Sequence, residues 1–391
     1  MKVEFFGKRL MSVVLICTVL CLVFAVEGVC GPRVRDEVKI PDVGGYLTLA
    51  CDFHMHTIFS DGRVWPTIRP EEAWREGLDA FSLTEHVEYH AHEKDVRTNL
   101  NRSYEIARGS AESLGLVIVK GAEITRDMPP GHFNATFLKD ANALDVEEWR
   151  DAIKAAVEQK GFVFWNHPGW KGQHPEGKSI WYEEHTELYK KGWMHGIEIV
   201  NDDEYYPLAH KWALEKKLTM LGNSDVHSPT GLNYDFAAGE HRAMTLVLAK
   251  ERSEEAIKDA LLSRRTVVYW RKNLIGEEKY LRPIFEGSIE IINPDVTIKG
   301  KGSAYIQIRN KSEIDFELEG AGEVEEVSAP GSATLYGEKV NLLRIRGKRE
   351  DVSGKKGLRL PYKVKNLWVG PEEGLRAELV VKVSFVPAEE E

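Results

Sequence analysis

The sequence predicts an α/β chain: a mostly parallel, helix-covered sheet over residues 45–275, followed by a small antiparallel β-sandwich over 284–391. Three observations carry this. Up to about residue 275, short apolar runs alternate with segments of helical period. Beyond 284 the period becomes two, in Ala304/Ile306/Ile308, Ile314/Phe316/Leu318 and Leu375/Ala377/Leu379/Val381/Val383/Phe385. Histidines and carboxylates recur where the early apolar runs end.

At the N-terminus, Lys2, Lys8 and Arg9 precede a mostly apolar stretch over residues 10–26, with Ala25 or Gly28 as the small residue for cleavage. Residues 1–29 therefore read as a secretory signal, and the stretch is short for the ~20 residues of a spanning helix. The expectation is a secreted or periplasmic protein, membrane-attached only if this segment is retained as an anchor. Cys30 and Cys51 follow, a pair that could close one disulfide outside the cytoplasm; Cys51 equally suits a small buried hydrophobe.

Strands are expected at 47–56, 80–86, 116–124, 132–138, 162–167, 196–200 and 218–224, with a further one at 243–249. Between them, Pro70-Glu71-Glu72 suits a first helical turn and Gly77 its stop. Asp145 with Glu148 forms a capping-box pattern before Val146, Trp149, Ile153 and Val157, and Ser253 opens a helix carrying Ile257, Ala260 and Leu261. In the sandwich, the basic loop of Lys348, Arg349, Lys355 and Lys356 reads as a solvated turn, and residues 389–391 as a frayed tail.

The chain is 42% hydrophobic and 29% charged, ordinary for a soluble globular protein. Its net charge is −10; residues 1–29 contribute +1 (Lys2, Lys8, Arg9 against Glu4, Glu27), leaving about −11. An acidic chain without a basic tract gives no support to duplex nucleic-acid binding.

The chemistry-bearing residues follow one rule. His54 and His56 end the first strand, where a spacing of two puts both imidazoles on one face, and Asp61 lies in the loop beyond. Glu85-His86 ends the second strand, Glu123 the third, His167 the fifth and Asp225-Val226-His227 the seventh. His132 opens the fourth, which implies that this strand runs against its neighbours. In a barrel of parallel strands, the C-terminal end is where active sites assemble, and independent core histidines would not share that placement. Mixed imidazole and carboxylate ligation suits two or three divalent ions of Zn, Mn or Fe. A hydroxide between two such ions is a nucleophile at neutral pH, because coordination lowers water's pKa from ~15.7 to about 7. Arg63, Arg126 and Lys171 follow ligand strands and could hold a terminal phosphate, although surface roles are the norm for such residues. His90 and His92 repeat the His-x-His spacing but in a polar loop.

These motifs, in order over roughly 50–275, closely resemble the polymerase-and-histidinol-phosphatase (PHP) family of metal-dependent phosphoesterases, in its exported form with an extra C-terminal β-domain. The resemblance implies a distorted seven-stranded (β/α) TIM-like barrel. It implies a first metal at His54, His56, Glu123 and Asp225, and a second that Glu123 bridges to and His132 and His167 share. A third would lie at Asp61, His86 and His227, and Glu123, Asp225 and His227 would be catalytic. One departure is Thr84-Glu85-His86 where the family usually has Thr-Asp-His, which leaves Glu85 open between ligand and orienter of a histidine.

The expected activity is hydrolysis of a small phosphomonoester of the nucleotide or sugar-phosphate class. Phosphodiesterase or exonuclease action is an alternative. An amidohydrolase also opens on His-x-His, but usually bridges its metals through a carboxylated lysine where this chain has Glu123. A non-enzymatic reading makes the β-domain an adhesion or ligand-binding module, and the full ligand set argues against that as the sole function.

Overall fold

A computed structural model describes residues 33–388. The expected export signal, Cys30 and the acidic tail at 389–391 lie outside the described residues. Among those described, no helix is long and apolar enough to cross a membrane.

The apolar runs become β1 (Leu47–Asp52), β2 (Ala80–Leu83), β3 (Val117–Ile124), β4 (Phe133–Thr136), β5 (Phe162–Trp165), β6 (Gly196–Asn201), the short β7 (Glu204–Tyr205) and β8 (Thr219–Asn223). β1, β2 and β3 pair in parallel, as do β5, β6 and β8. β4 runs antiparallel to both β3 and β5, the reversal that His132 at its start implies. β9 (Met244–Ala249) flanks β1 in antiparallel fashion, and β10 (Thr266–Trp270) and β11 (Asn273–Gly276) extend the sheet outward. β2, β4, β5, β6 and β8 are buried along their whole length, as strands of sheets covered on both faces are.

The connecting helices are α1 (Ile68–Arg75), α2 (Arg102–Ser113), α3 (Trp149–Glu158), α4 (Glu183–Lys190), α5 (Pro207–Lys216) and α6 (Glu254–Leu262), and α7 (Glu278–Ser288) leads to the second domain. Gly77 closes α1 at φ +83°, a conformation that favours glycine. Ser253 caps α6 by accepting a hydrogen bond from the Ala256 N–H (3.2 Å). The expected capping box fails: a 3-10 turn at Ala141–Leu144 uses the chain before it, and α3 starts at Trp149 with Glu148 uncapped at its head. Val146 consequently stands outside the helix and exposed, while Ile153 alone of the expected stripe is fully buried.

Beyond α7 come β12 (Ile289–Ile291), β13 (Asp295–Lys299), β14 (Ser303–Asn310), β15 (Phe316–Gly320), β16 (Val327–Ser328), β17 (Ser332–Leu335), β18 (Val340–Gly347), β19 (Gly354–Gly370) and β20 (Glu373–Val386). One sheet has the order β12-β14-β18-β16; the other holds β13, β20, β19, β15 and β17. Alternating burial along β14 and β20 matches the period of two. Two pairings depart from an isolated antiparallel sandwich. β13 pairs with β20 in parallel, and β11 pairs in parallel with β19, Leu274 opposite Leu367 and Ile275 opposite Trp368. The second domain's sheet is thus continuous with the first's. α7 fills the junction with Leu281, Ile284 and Phe285, and the Phe285 ring meets Phe316 edge-on at 5.1 Å. Burying one such phenyl group contributes about 2–3 kcal/mol.

Two buried histidines on the helices of the first domain favour the neutral form. His185 accepts from the Tyr182 N–H (3.0 Å) and donates to the Pro130 carbonyl (2.8 Å), with its ring 3.7 Å from Trp165. Burial holds His185 and His210 at about 4. Because these values lie below the unfolded value near 6.5, the unfolded chain binds the extra protons between the two. Their stability contribution is therefore full above pH 6.5 and is lost as pH falls toward 4, by roughly 3 kcal/mol each. His185→Phe is expected to flatten the wild-type decline of the urea midpoint between pH 6.5 and 4.5; an identical slope in both proteins refutes this.

Candidate metal centre

β1 ends at Asp52, and the segment beyond it, rather than the strand itself, presents the imidazoles. There the His56 N–H donates to the Val226 carbonyl (3.1 Å) and the Asp225 N–H to the His54 carbonyl (2.9 Å), so the segments carrying His54/His56 and Asp225/His227 lie side by side. The fully buried Arg69 clamps them, donating to the carbonyls of His56 (2.9 Å), Val226 (2.8 Å) and Ser228 (3.0 Å). His86 lies just past β2 and forms an isolated parallel bridge with Glu123 on β3.

All nine residues expected as ligands come together. Glu123 is at the centre and fully buried, and its two oxygens divide the imidazoles. Oε2 is 3.2 Å from His54 Nε2, 3.3 Å from His56 Nε2 and 3.1 Å from His86 Nδ1. Oε1 is 2.9 Å from His132 Nδ1, 3.6 Å from His167 Nε2 and accepts from Asn166 Nδ2 (3.0 Å). Among the described residues, three sets have donor atoms within 4.8 Å of one another: His54, His56 and Asp225; His54, Glu123 and His167; and His56, Asp61, His86 and His227. The last set places His56 beside the residues of the expected third position as well as the first. His132 joins none of these sets and reaches the cluster through Glu123.

These residues fit divalent ions on their own chemistry. His56 Nε2, Asp61 Oδ1, His167 Nδ1 and Asp225 Oδ1 are buried without a hydrogen-bond partner. His56 Nε2 and Asp225 Oδ1 are 3.0 Å apart yet out of hydrogen-bond alignment, as when two donors face a common point. Burial works against ionisation of Glu123, Asp61 and Asp225, yet the surrounding imidazoles hold all three carboxyls well below the usual range. Conversely, Glu123 and Asp61 outweigh burial at His86 and push it up to about 10, and Asp225, Glu123 and Glu198 raise His54 likewise. A proton held on His54 or His86 must leave before that nitrogen takes a metal. Backbone strain coincides with the cluster: His167 and Asp225 sit at φ +26° and +53°.

Further carboxylates orient the donors. Glu198 accepts from His54 Nδ1 (2.9 Å), the His167 N–H (2.8 Å), Asn201 Nδ2 (2.9 Å) and Asn223 Nδ2 (2.9 Å). Sequence reasoning passed over it, although a lone acid inside the apolar strand Gly196–Asn201 is a visible signal. Glu85 accepts from the Thr57 N–H (3.1 Å), Thr57 Oγ1 (2.6 Å) and Ser60 Oγ (2.7 Å). It therefore fixes the loop after His56, and is in none of the three donor sets.

The cluster opens into a cavity of about 850 Å3 lined by Asp61, His86, His132, His167, Asp225 and His227, with Tyr89, Trp170, Gln173 and Tyr206 around them. Residues 201–204, Asn-Asp-Asp-Glu, form its far wall. None of Arg63, Arg126 and Lys171 lines it. Arg126 is diverted to Glu88 (2.7 Å) and the Val146 carbonyl (2.7 Å), and Arg63 and Lys171 stand exposed outside. His90 and His92 bond to the carbonyls of Phe59, Val87 and Gly62, tying two loops together. Cys51 is a buried free thiol.

Comparison with known proteins is consistent with this arrangement. Residues 289–380 match the Ig-like domain family. A crystal structure from Bacteroides vulgatus ATCC 8482, of a two-domain protein containing a predicted PHP-like metal-dependent phosphoesterase, is 45% identical, with a TM-score of 0.85 over 90% of this chain and 100% of that one. An inferred metal-dependent phosphoesterase from Bifidobacterium adolescentis ATCC 15703 is 16% identical, with a TM-score of 0.41 over 56% of this chain and 97% of that one. An amidohydrolase from Chromobacterium violaceum is 15% identical, with a TM-score of 0.35 over 47% and 89%. No curated protein matches the chain.

Proposed function

The chain belongs to the family of two-domain proteins built on a PHP-like metal-dependent phosphoesterase, and from that premise we propose that it hydrolyses a small phosphoester at the Glu123 cluster. The observation carrying this reading is the division of the imidazoles between the two Glu123 oxygens, each directed to its own group at the floor of an open cavity. Divalent ions held there would neutralise phosphoryl oxygens and acidify a water molecule. Glu123 spaces the two donor groups, and Glu198 fixes the His54 ring and the His167 backbone. His227 is the most exposed histidine of the cluster, its Nε2 3.2 Å from Asp61 Oδ1 and its Nδ1 2.7 Å from the Asp225 carbonyl oxygen. That position suits it to hold a divalent ion with Asp61 and His86 on the cavity side of the cluster.

Zn, Mn and Fe(II) all remain compatible with this donor set. We take the strands carrying it as the distorted barrel of the family, with the Met55–Val226 bridge supporting that ring. Export is proposed on residues 1–29 alone.

For the substrate, a phosphomonoester is the first reading. The lining favours a second, a phosphodiester of single charge: no Arg or Lys is among the lining residues, while Asp127, Asp202, Asp203 and Glu204 are. A dianion would meet cations only at the bound metals. Protein reconstituted separately with Mn, Zn and Fe(II) is tested on a phosphomonoester, a phosphodiester and an N-acyl amino acid, with His54→Ala/His56→Ala as the blank. Metal-dependent phosphoester cleavage lost in the double variant is expected. Amide cleavage without it would move the protein to the amidohydrolase reading.

A further inference from the structure

The Ig-like domain supplies none of the cavity's lining residues, yet it covers the outer face of the cavity's far wall. From this we infer that the C-terminal domain is a working part of the substrate site, with Trp368 the positioning residue that holds the 201–206 hairpin in place. The inference rests on reading the cavity as the phosphoester site.

The hairpin is weak on its own. β7 pairs with β6 only at Val200–Tyr205 and Asn201–Glu204, and a ladder of that length is not self-supporting. At its turn, Asp202 sits at φ +48°, a cost that surrounding structure must offset. Its inner backbone bonds are the Asp202 N–H to the Asn223 carbonyl (2.9 Å) and the Tyr206 N–H to the Ile199 carbonyl (2.9 Å), and the Tyr234 hydroxyl donates to Asp202 Oδ1 (2.8 Å). Outside, Tyr205 is enclosed by aromatic rings. Trp368 on β19 lies 5.0 Å from it and Trp270 on β10 lies 6.1 Å from it, while the two indoles are 6.4 Å apart. The Tyr205 hydroxyl bonds His210 Nδ1 (2.8 Å) and meets the backbone of Glu372 in the β19–β20 turn.

A second tie runs parallel to the first. Asn366, on the same strand as Trp368, donates to the Lys272 carbonyl (2.8 Å), holding the β10–β11 turn from which Arg271 reaches Asp203 (2.8 Å). The β11–β19 pairing sets Trp368 opposite Ile275 and fixes this register. On its cavity side the same hairpin presents Asn201, whose Nδ2 bonds Asp225 (3.3 Å) and Glu198 (2.9 Å). A shift of the Ig-like domain's inner strand would therefore move substrate-facing groups, while Glu123 stays held in β3 and the His54/His56 and Asp225/His227 segments stay clamped by Arg69.

The test compares full-length Trp368→Ala, Trp368→Phe and Leu343→Ala. Leu343 is buried in the sandwich on β18, in the sheet away from the hairpin, and controls for mere loosening of the domain. With bis(p-nitrophenyl) phosphate, Trp368→Ala should raise KM about ten-fold, with kcat and metal content within about two-fold of wild type. Trp368→Phe should recover most of the loss, and Leu343→Ala should lower the melting temperature without changing KM. An unchanged KM in folded Trp368→Ala, or an equal rise in Leu343→Ala, overturns the inference. If wild-type protein cleaves no phosphoester, the parent reading fails, and amide exchange decides the positioning role separately. Faster exchange at Tyr205 and Tyr206 in Trp368→Ala upholds it; unchanged exchange sinks it.

Discussion

Glu123→Ala is expected to abolish phosphoester turnover, by at least about a thousand-fold or roughly 4 kcal/mol of barrier, while the fold stays largely intact. The carboxylate has no exposed surface and faces five imidazoles, one oxygen toward His54, His56 and His86 and the other toward His132 and His167. Removing it cuts His132 off from the His54/His56/His86 group and leaves Asp225 and Glu198 as the links between that group and His167. It also strips a negative charge from a site whose raised histidines depend on it. The fold should persist because Glu123 lies near the end of β3, whose backbone pairing with β4 continues through Ala122 and Gly121. Turnover, bound metal by elemental analysis and far-ultraviolet circular dichroism check the three parts. Full activity in this variant would remove the basis for the metal assignment; lost helix and strand signal would assign the residue to structure instead.

The second large effect lies beneath the site. Arg242 is fully buried, its Nε donating to Glu76 (2.7 Å) and its Nη1 to Asp52 (3.1 Å). Burial opposes its charge, but the two carboxylates outweigh that and raise its pKa further. Asp52 in turn accepts from the His54 N–H (3.2 Å) and from Ser224, so it joins the start of one donor segment to the start of another. Arg242→Met leaves two buried carboxylates without their cation, which costs about 3–5 kcal/mol. Against a total stability of about 5–15 kcal/mol, this is a large fraction. The urea midpoint should fall accordingly, and Asp52→Asn placed in the same chain should recover part of the loss. A midpoint within error of wild type would show that the network contributes little.

The cluster's residues were legible because most of them follow an apolar run, and a strand's end is a local property. Their order along the chain placed His54, His56, His86, Glu123, His167, Asp225 and His227 at the ends of successive runs, and the reversed direction of β4 followed from His132. What escaped depends on partners distant in the chain. Arg69 looks like an ordinary helical arginine until its guanidinium meets the carbonyls of Val226 and Ser228. Glu198 gains its meaning from His54, 144 positions away, and from the His167 N–H. Arg126 carried the right charge in the right loop, but Glu88 takes it away from the cavity. The change of period near 284 was legible, although residue 284 lies inside α7 and the strands of the second domain start at Ile289; the β11–β19 pairing that joins the two sheets leaves no periodic trace in either strand.

That pairing bears on how such a chain can diversify. A domain attached by a tether can be exchanged for another without regard to shape. Here a replacement would have to offer β11 a parallel edge in the same register, a cover for Phe285 and an indole for Tyr205. Lacking these, β11 would be left with open backbone groups, an invitation to pair with other chains. Descent is therefore expected to keep the two halves together, with novelty arising in the loops around the mouth rather than by shuffling whole domains.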